Sequence, residues 1–356
     1  MFPFLKGAFR TVFFRAPLNA RLWLTYRCNY RCRMCGIRDL STSPEMSLSE
    51  LETVARHLRA LKLHQVILTG GEPLLRGDIV EIVRLFSRHG FLVRLQTNGG
   101  IHVTESLLDR CYEAGLNDIS VSMDTLDPEK QDRICQATDV LKYAQQVIRY
   151  CLDRHGSRGV VAVNVVVSAE NLFELPAIIR YIDGMGAFFS PCIFTRPFSH
   201  PSVEDHRHKG DPFSLSALDT ARVGRLFEDL RGLIRENRRV LMSTRLLNDL
   251  ERYIRTGDHQ WECRAGELSM DILPSGELIP CCDTADSALE SPSANLKRDD
   301  FLRIYRSPAF RKKCVNRRSQ CPGCLYGCYR EPTYLATDWR VLLEALYKTI
   351  RFKRLF

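Results

Sequence analysis

No stretch of this chain stays apolar for the roughly 18 residues a membrane-spanning helix needs, so no spanning helix is expected. The opening MFPFLKGAFRTVFFRAPL lacks a continuous apolar core and a small-residue cleavage site, so it does not read as a secretory leader. Internal repeats and low-complexity tracts are also missing, which argues against solenoids and disordered linkers. Acidic residues are outnumbered 42 to 51 by lysine and arginine, yet the resulting +9 charge is spread along the chain. It is too thin to call for nucleic acid, and no nucleic-acid partner is expected. What is present is an ordinary globular balance, 45% hydrophobic and 26% charged over 356 residues, enough for about two domains.

Cysteine is the abundant residue, with 14 in the chain. In the reducing cytoplasmic compartment expected for a chain without a leader, clustered thiols ligate metals or react more often than they pair. Elsewhere the sequence alternates short apolar runs with amphipathic stretches, which predicts βα units around a parallel sheet. Strands are expected at Leu22–Thr25, Gln65–Thr69, Leu92–Gln96, Asp118–Ser122, Val160–Val167 and Ala187–Phe194. Helices are expected near 48–61, 78–89, 104–114, 138–154 and 173–185, with a sixth near 216–237. The predicted fold class is α/β, an open and incomplete (β/α)6 barrel with chemistry at the C-terminal strand ends. Residues 196–214 read as a connector rich in Pro, Ser, His and charge. The expected division is a basic amphipathic segment at 1–19, the partial barrel at 20–215, a helical connector at 216–260, a cysteine-rich domain at 261–332 and a basic amphipathic tail at 333–356.

Directly after the first strand, TYRCNYRCRMCGI places Cys28, Cys32 and Cys35 in a C-x3-C-x2-C pattern. Three thiolates on one loop can hold three irons of a [4Fe–4S] cube and leave the fourth open to another ligand. Structural zinc would ask for a fourth ligand, and no other Cys or His lies nearby in sequence. At these residues the chain resembles the radical S-adenosylmethionine (AdoMet) superfamily, with Met34 where that family usually has an aromatic residue before the third cysteine.

Later segments extend the resemblance. Gly70-Gly71-Glu72-Pro73 is similar to the family's GGEP motif, which holds the AdoMet amino group. Glycines there would let backbone carbonyls approach a ligand, and a carboxylate would complement an ammonium. Asn98, in Gln96-Thr97-Asn98-Gly99, is similar to the family's TNG segment, although a glycine-closed turn explains it as well. Ser122 and Asp124, at the end of the fourth strand, resemble residues that bond the ribose or carboxylate of AdoMet, with helix capping the alternative for Asp124. Arg133 resembles a carboxylate-binding arginine, and Asn164 a polar residue presented into the barrel. Ile193 or Phe194 is the candidate adenine neighbour.

Cys263, twelve residues, Gly276, four residues and Cys281, followed by Cys321-Pro-Gly-Cys324 and Cys328, resemble the SPASM and twitch extensions of the superfamily. The resemblance implies a hairpin, roughly Leu268–Leu273 and Glu277–Ile279, carrying ligands of an auxiliary [4Fe–4S] cluster. Downstream, C-x2-C-x3-C falls short of the full SPASM pattern, which favours one cluster, as in the aminocyclitol dehydrogenase of that group. The expected ligands are Cys263, Cys281, Cys321 and Cys324, with Cys328 as substitute; zinc on the same thiols is the rival. Cys282 and Cys314 stay unassigned, and Cys111, Cys135, Cys151 and Cys192 read as packing residues.

The resemblance implies an enzyme in which one electron, delivered by a donor such as flavodoxin or ferredoxin, cleaves AdoMet to a 5′-deoxyadenosyl radical. That radical would abstract hydrogen from a small, carrier-linked or peptide substrate, giving a redox modification aided by the auxiliary cluster. A zinc-stapled basic module for RNA or another anion is the competing reading. Finally, Phe2, Leu5, Phe9 and Phe13 recur at helical spacing among Lys6, Arg10 and Arg15, and the tail carries Lys348, Arg351, Lys353 and Arg354. Such ends either lie on an anionic membrane surface or pack against the barrel.

Overall fold

The computed structural model describes residues 7, 11–12, 16–39, 44–194, 212–215, 220–236, 238–258, 261–282, 294–319 and 323–352. The connector at 196–211, the aromatic stripe at Phe2, Leu5, Phe9 and Phe13, the thiol of Cys321, and Lys353 and Arg354 lie outside them.

The expected strands form β1 (Asn19–Thr25), β2 (Gln65–Gly70), β3 (Leu92–Thr97), β4 (Asp118–Ser122), β5 (Val161–Val167) and β6 (Phe188–Ile193), each parallel to the next. Between them run α1 (Leu48–Ala60), α2 (Ile79–Arg88), α3 (Glu105–Glu113), α4 (Pro128–Cys135), α5 (Val140–His155) and α6 (Leu175–Met185). One set of alternate strand residues, including Leu22, Leu68, Leu95, Val121 and Val163, is buried under the helices. The other set faces the barrel interior, because successive side chains on a strand point to opposite faces. Local signals start the helices. Ser47 and Glu50 form a capping box on α1, and Asp127 caps α4, which begins at Pro128. The short, polar PEKQDRIC of α4 has little apolar periodicity, and no helix was expected there.

After α7 (Thr220–Arg235) and α8 (Thr244–Thr256), the predicted hairpin appears as β7 (Ser269–Ile272) and β8 (Leu278–Ile279), antiparallel to each other. It is not confined to a separate module. β7 pairs in parallel with β1, so among the described residues the sheet has eight strands in the order β6-β5-β4-β3-β2-β1-β7-β8. The expectation of a six-stranded sheet is corrected by this addition at the β1 edge. Register sets Arg21 opposite Asp271, and their buried side chains meet at 2.6 Å. Trp23 Nε1 donates to the same carboxylate at 2.9 Å. A buried charge so paired and hydrogen-bonded fixes the register of the added strand, since a slip would strand both ions.

The chain continues through α9 (Phe301–Tyr305), α10 (Pro308–Ser319), α11 (Gly327–Thr337) and α12 (Trp339–Phe352). Leu342, Ala345 and Leu346 of α12 pack with Leu335 and with Leu18, which immediately precedes β1. Phe352 meets Phe188, the first residue of β6, edge to face at 5.4 Å. Helix α12 therefore lies across the N-terminal ends of the strands, at the pole opposite the loops that follow them. No helix among the described residues is long and apolar enough to cross a membrane.

Candidate active site

The loop after β1 carries Cys28, Cys32 and Cys35, all half-buried. The last carbonyls of α4 hold it in place: Arg31 N donates to Cys135 O at 3.2 Å and Arg33 N to Ile134 O at 2.9 Å. Helix-end carbonyls have no partner within their own helix, so the loop supplies what α4 leaves unmet. Cys28 Sγ accepts from Tyr30 N at 3.5 Å and from Asn98 Nδ2 at 3.7 Å. Burial pushes the Cys28 thiol up to about 11, against the pull of those two N–H groups. Cys28, Cys32 and Met34 pack among Tyr30, Ile134, Cys135 and Phe194, while Cys35 packs with Trp23, Tyr26 and Ile37. Met34 thus takes the apolar place expected of it.

Gly70 and Gly71 open a different approach from the one expected. A Cβ on Gly71 would stand 2.2 Å from Arg27 O, and one on Gly70 would stand 2.3 Å from Thr25 O. The glycine pair lets the end of β2 lie directly against the start of the cysteine loop, joined by Gly71 N to Thr25 O at 2.7 Å and Glu72 N to Arg27 O at 2.8 Å. Pro73 opens a short turn beyond it. Glu72 is fully buried, and its carboxylate serves the protein. It accepts from Leu74 N at 3.0 Å, from Thr97 Oγ1 at 2.9 Å and from Asn98 N at 2.7 Å. Asn98 passes the connection on, its Nδ2 reaching both Asn29 Oδ1 at 2.7 Å and the Cys28 thiol. Segments distant in sequence thus form one chain, Glu72 to Asn98 to Cys28. His102, not singled out in the sequence, places Nε2 3.8 Å from Glu72 Oε1.

At the strand ends, register aligns Ser122 with Asn164 and Asn164 with Ser190, a polar row toward the interior. One pleat deeper, Ser120 Oγ is buried with no hydrogen-bond partner. Asp124 is buried and braced: Oδ1 accepts from Val166 N at 2.7 Å, and its own N donates to Gln131 Oε1 at 2.8 Å. Burial raises its carboxyl to about 6. The capping alternative for Asp124 goes to Asp127 instead. Arg133 is exposed on α4. Of the two adenine candidates, Ile193 lies in the helix-side core and Phe194 beside the cysteine loop.

The C-terminal thiols also gather. Cys263, Cys281, Cys282, Cys324 and Cys328 pack around Ala265, Tyr326 and Tyr329. Tyr329 ties them to the barrel, its hydroxyl donating to Asp271 Oδ2 at 2.5 Å and accepting from Cys282 N at 2.6 Å. Cys282 also packs on the Trp23, Tyr26 and Ile37 cluster that Cys35 touches, so it stands on the side facing the first loop. Of the cysteines read as packing residues, Cys111 and Cys151 are core. Cys192 is instead exposed, and Cys135 packs beside Cys32. Cys314 is buried in the core.

Among the described residues no three His, Cys, Asp or Glu side chains converge tightly enough to chelate a single metal ion. A [4Fe–4S] cube is a wider ligand that spreads its thiolates over several irons. An all-thiol donor set on a loop with N–H groups aimed at sulfur, above an interior holding the unpartnered Ser120 hydroxyl, fits such a cube and a polar organic ligand.

Comparison with known proteins agrees at both sites. A family model described as the radical SAM superfamily matches residues 24–182, and one described as an iron-sulfur cluster-binding domain, SPASM, matches residues 263–329. The chain belongs to the radical SAM superfamily. Its cofactors are a [4Fe–4S] cluster, AdoMet and an auxiliary iron–sulfur cluster, which sets aside the zinc reading. This radical SAM protein is 29% identical over 260 residues to a GTP 3′,8-cyclase of Marinobacter nauticus, covering 72% of this chain and 73% of that one. It is 26% identical over 309 residues to a probable GTP 3′,8-cyclase of Methanocaldococcus jannaschii, covering 86% and 96%. Among solved structures, anSMEcpe with bound AdoMet superposes with TM-score 0.61 at 17% identity, covering 92% of this chain and 98% of that chain. Streptococcus suis SuiB bound to S-adenosylmethionine gives TM-score 0.59 at 14% identity, covering 82% of this chain but only 64% of SuiB. At these identities the two structures establish the fold.

Sequence reasoning missed one residue that organises the auxiliary site of this radical SAM protein. Arg330 is fully buried and donates through Nε and Nη2 to Cys324 O at 2.8 and 2.5 Å. Its Nη1 reaches Asp249 Oδ2 of α8 at 2.6 Å. An arginine two residues after Cys328 in a cysteine-rich stretch resembles any surface cation until the fold closes over it.

Proposed function

We propose that this radical SAM enzyme takes hydrogen from a small polar molecule held in the barrel mouth between the two thiol clusters. The observation that carries the reading is the chain Glu72–Asn98–Cys28, which locks the three-thiol loop above the interior polar row of Ser122, Asn164 and Ser190. In this reading Cys28, Cys32 and Cys35 hold the [4Fe–4S] cluster that binds AdoMet. When bound, the two supply one-electron cleavage of a sulfonium and hydrogen abstraction from an unactivated C–H bond.

The chain's own residues bind and orient. Gly70, Gly71 and Pro73 shape the turn beside the loop, while Glu72 and Asn98 brace it. Asn98, Ser122 and Asn164 offer neutral donors and acceptors to the nucleoside and amino-acid ends of AdoMet. Asp124 fixes the β4 end, and Arg133 stands where a carboxylate would enter. Cys263, Cys281, Cys321 and Cys324, with Cys328 in reserve, hold one auxiliary cluster, and the β7–β8 hairpin belongs to both the 20–215 and the 261–332 units. A one-electron carrier such as flavodoxin or ferredoxin in the cytoplasm is the expected reductant.

The name shared by the relatives, GTP 3′,8-cyclase, supports a small-molecule substrate and a rearrangement over redox modification of a peptide. The test is 5′-deoxyadenosine formation by anaerobically reconstituted protein given AdoMet and dithionite, with GTP as first probe and Cys28→Ala as control. The proposal predicts formation that is lost in the variant. Formation stimulated by a peptide and not by GTP or other small molecules would overturn the substrate class.

A further inference from the structure

Helix α12 has two faces, and the protein uses only one. Its Val341 and Thr349 are buried, and Leu342, Ala345 and Leu346 close over Leu18 and Leu335. The other face presents Trp339 (66% exposed), Leu343 (54%), Tyr347 (50%) and Ile350 (64%) to solvent. At 3.6 residues per turn these four fall within an arc of about 80°, so they form one stripe. Scattered exposed apolar residues are ordinary, but four aligned on one short helix are not.

Charge tells what could cover the stripe. Arg340 and Arg351, both exposed, flank it on one side, at about 100° and 120° on the same wheel. Glu344, the only acidic residue between 339 and 352, is turned to the protein. It accepts from Thr244 N at 3.0 Å and pairs with Lys348 at 2.8 Å. The exposed face therefore combines aromatic, aliphatic and cationic groups with no free carboxylate. Leu18, packed on α12, is also where the sequence emerges from the basic, aromatic segment carrying Lys6, Arg10 and Arg15. A protein partner of mixed charge would leave these cations unmatched, whereas an anionic lipid surface matches all of them and accepts Trp and Tyr at headgroup depth.

We propose that the exposed face of α12 docks this protein on an anionic membrane surface, with Trp339, Leu343, Tyr347 and Ile350 entering the interface and Arg340 and Arg351 meeting lipid phosphates. Because α12 lies across the N-terminal ends of the strands, the cysteine loop at the opposite pole faces away from the bilayer. The inference does not depend on the reaction proposed above.

The test is co-sedimentation of the full-length protein with vesicles of phosphatidylglycerol and phosphatidylcholine, against vesicles of phosphatidylcholine alone. Binding is expected to the anionic vesicles, at least about tenfold stronger than to neutral ones and weakening as salt rises. Arg340→Glu/Arg351→Glu is expected to lower it by about tenfold or more, and Leu343→Glu/Ile350→Glu to abolish it. Both variants should keep the circular dichroism melting curve and 5′-deoxyadenosine formation of the parent, since every altered side chain is exposed and remote from the thiols. No vesicle binding, equal binding to both vesicle types, or undiminished binding by the variants would overturn the proposal. So would a dimer in light scattering that Leu343→Glu/Ile350→Glu dissolves, which would give the stripe to a second copy of the chain.

Discussion

Glu72 carries more structure than any other single residue of the candidate site, because its two oxygens gather donors from three places in the chain. Glu72→Gln keeps the shape but turns an N–H group toward at least one of those donors. A buried donor left facing another donor costs about 1–3 kcal/mol, and denaturant unfolding is expected to register that loss. The same variant should retain less iron after gel filtration, since Asn98 would no longer be fixed beside Cys28. Much of this site was legible: C-x3-C-x2-C and GGEP announce themselves by spacing. The direction of the Glu72 carboxylate was not. Whether a carboxylate faces ligand or protein depends on Thr97 and Asn98, which reach it only after β2 and β3 pair.

Among the elements, the strands were readable nearly to the residue, because buried parallel strands are short apolar runs bounded by turn signals. Helix α4 was not, since its role is to offer its last carbonyls to the cysteine loop and not to bury an apolar face. Asp127→Ala removes its cap, which accepts from Lys130 N at 3.1 Å, at a cost of about 1 kcal/mol. The effect should appear as faster loss of iron from the N-terminal thiols with little change in the melting of the sheet, followed by visible absorbance. The parallel pairing of β7 with β1 was also hidden, because it rests on an ion pair 250 residues apart in sequence. Asp271→Asn leaves Arg21 buried without its counter-charge, which is expected to destabilise the fold by about 3–5 kcal/mol. A loss under 1 kcal/mol in denaturant unfolding would mean that the hairpin is not anchored there.

At the scale of the molecule, helices α8, α11 and α12 meet around Glu331, whose Oε1 accepts from Ser243 N at 2.8 Å. Burial raises its carboxyl to about 7, Lys348 opposes the shift and Glu344 adds to it. A carboxyl whose folded value lies above its unfolded value of about 4.3 favours the folded state most at low pH. That contribution fades as pH rises from about 4 to about 7. Glu331→Gln, which keeps the accepting carbonyl, is therefore expected to match the parent near pH 4 and to exceed it by about 1–2 kcal/mol near pH 8, a figure reduced for partial solvent access. Denaturant unfolding at the two pH values checks the sign. A variant less stable than the parent at pH 8 would show that the charged carboxylate is the favoured form.

The account turns on two thiol clusters, one under the Glu72–Asn98 brace and one tied to the barrel through Tyr329 and Arg330. Iron and acid-labile sulfide per chain after anaerobic reconstitution, in the parent and in Cys28→Ala/Cys32→Ala/Cys35→Ala, test it most directly. About eight irons falling to about four is the predicted result, one cube at each site. About four falling to none would remove the auxiliary cluster from the C-terminal thiols, and no iron in either protein would contradict the account altogether.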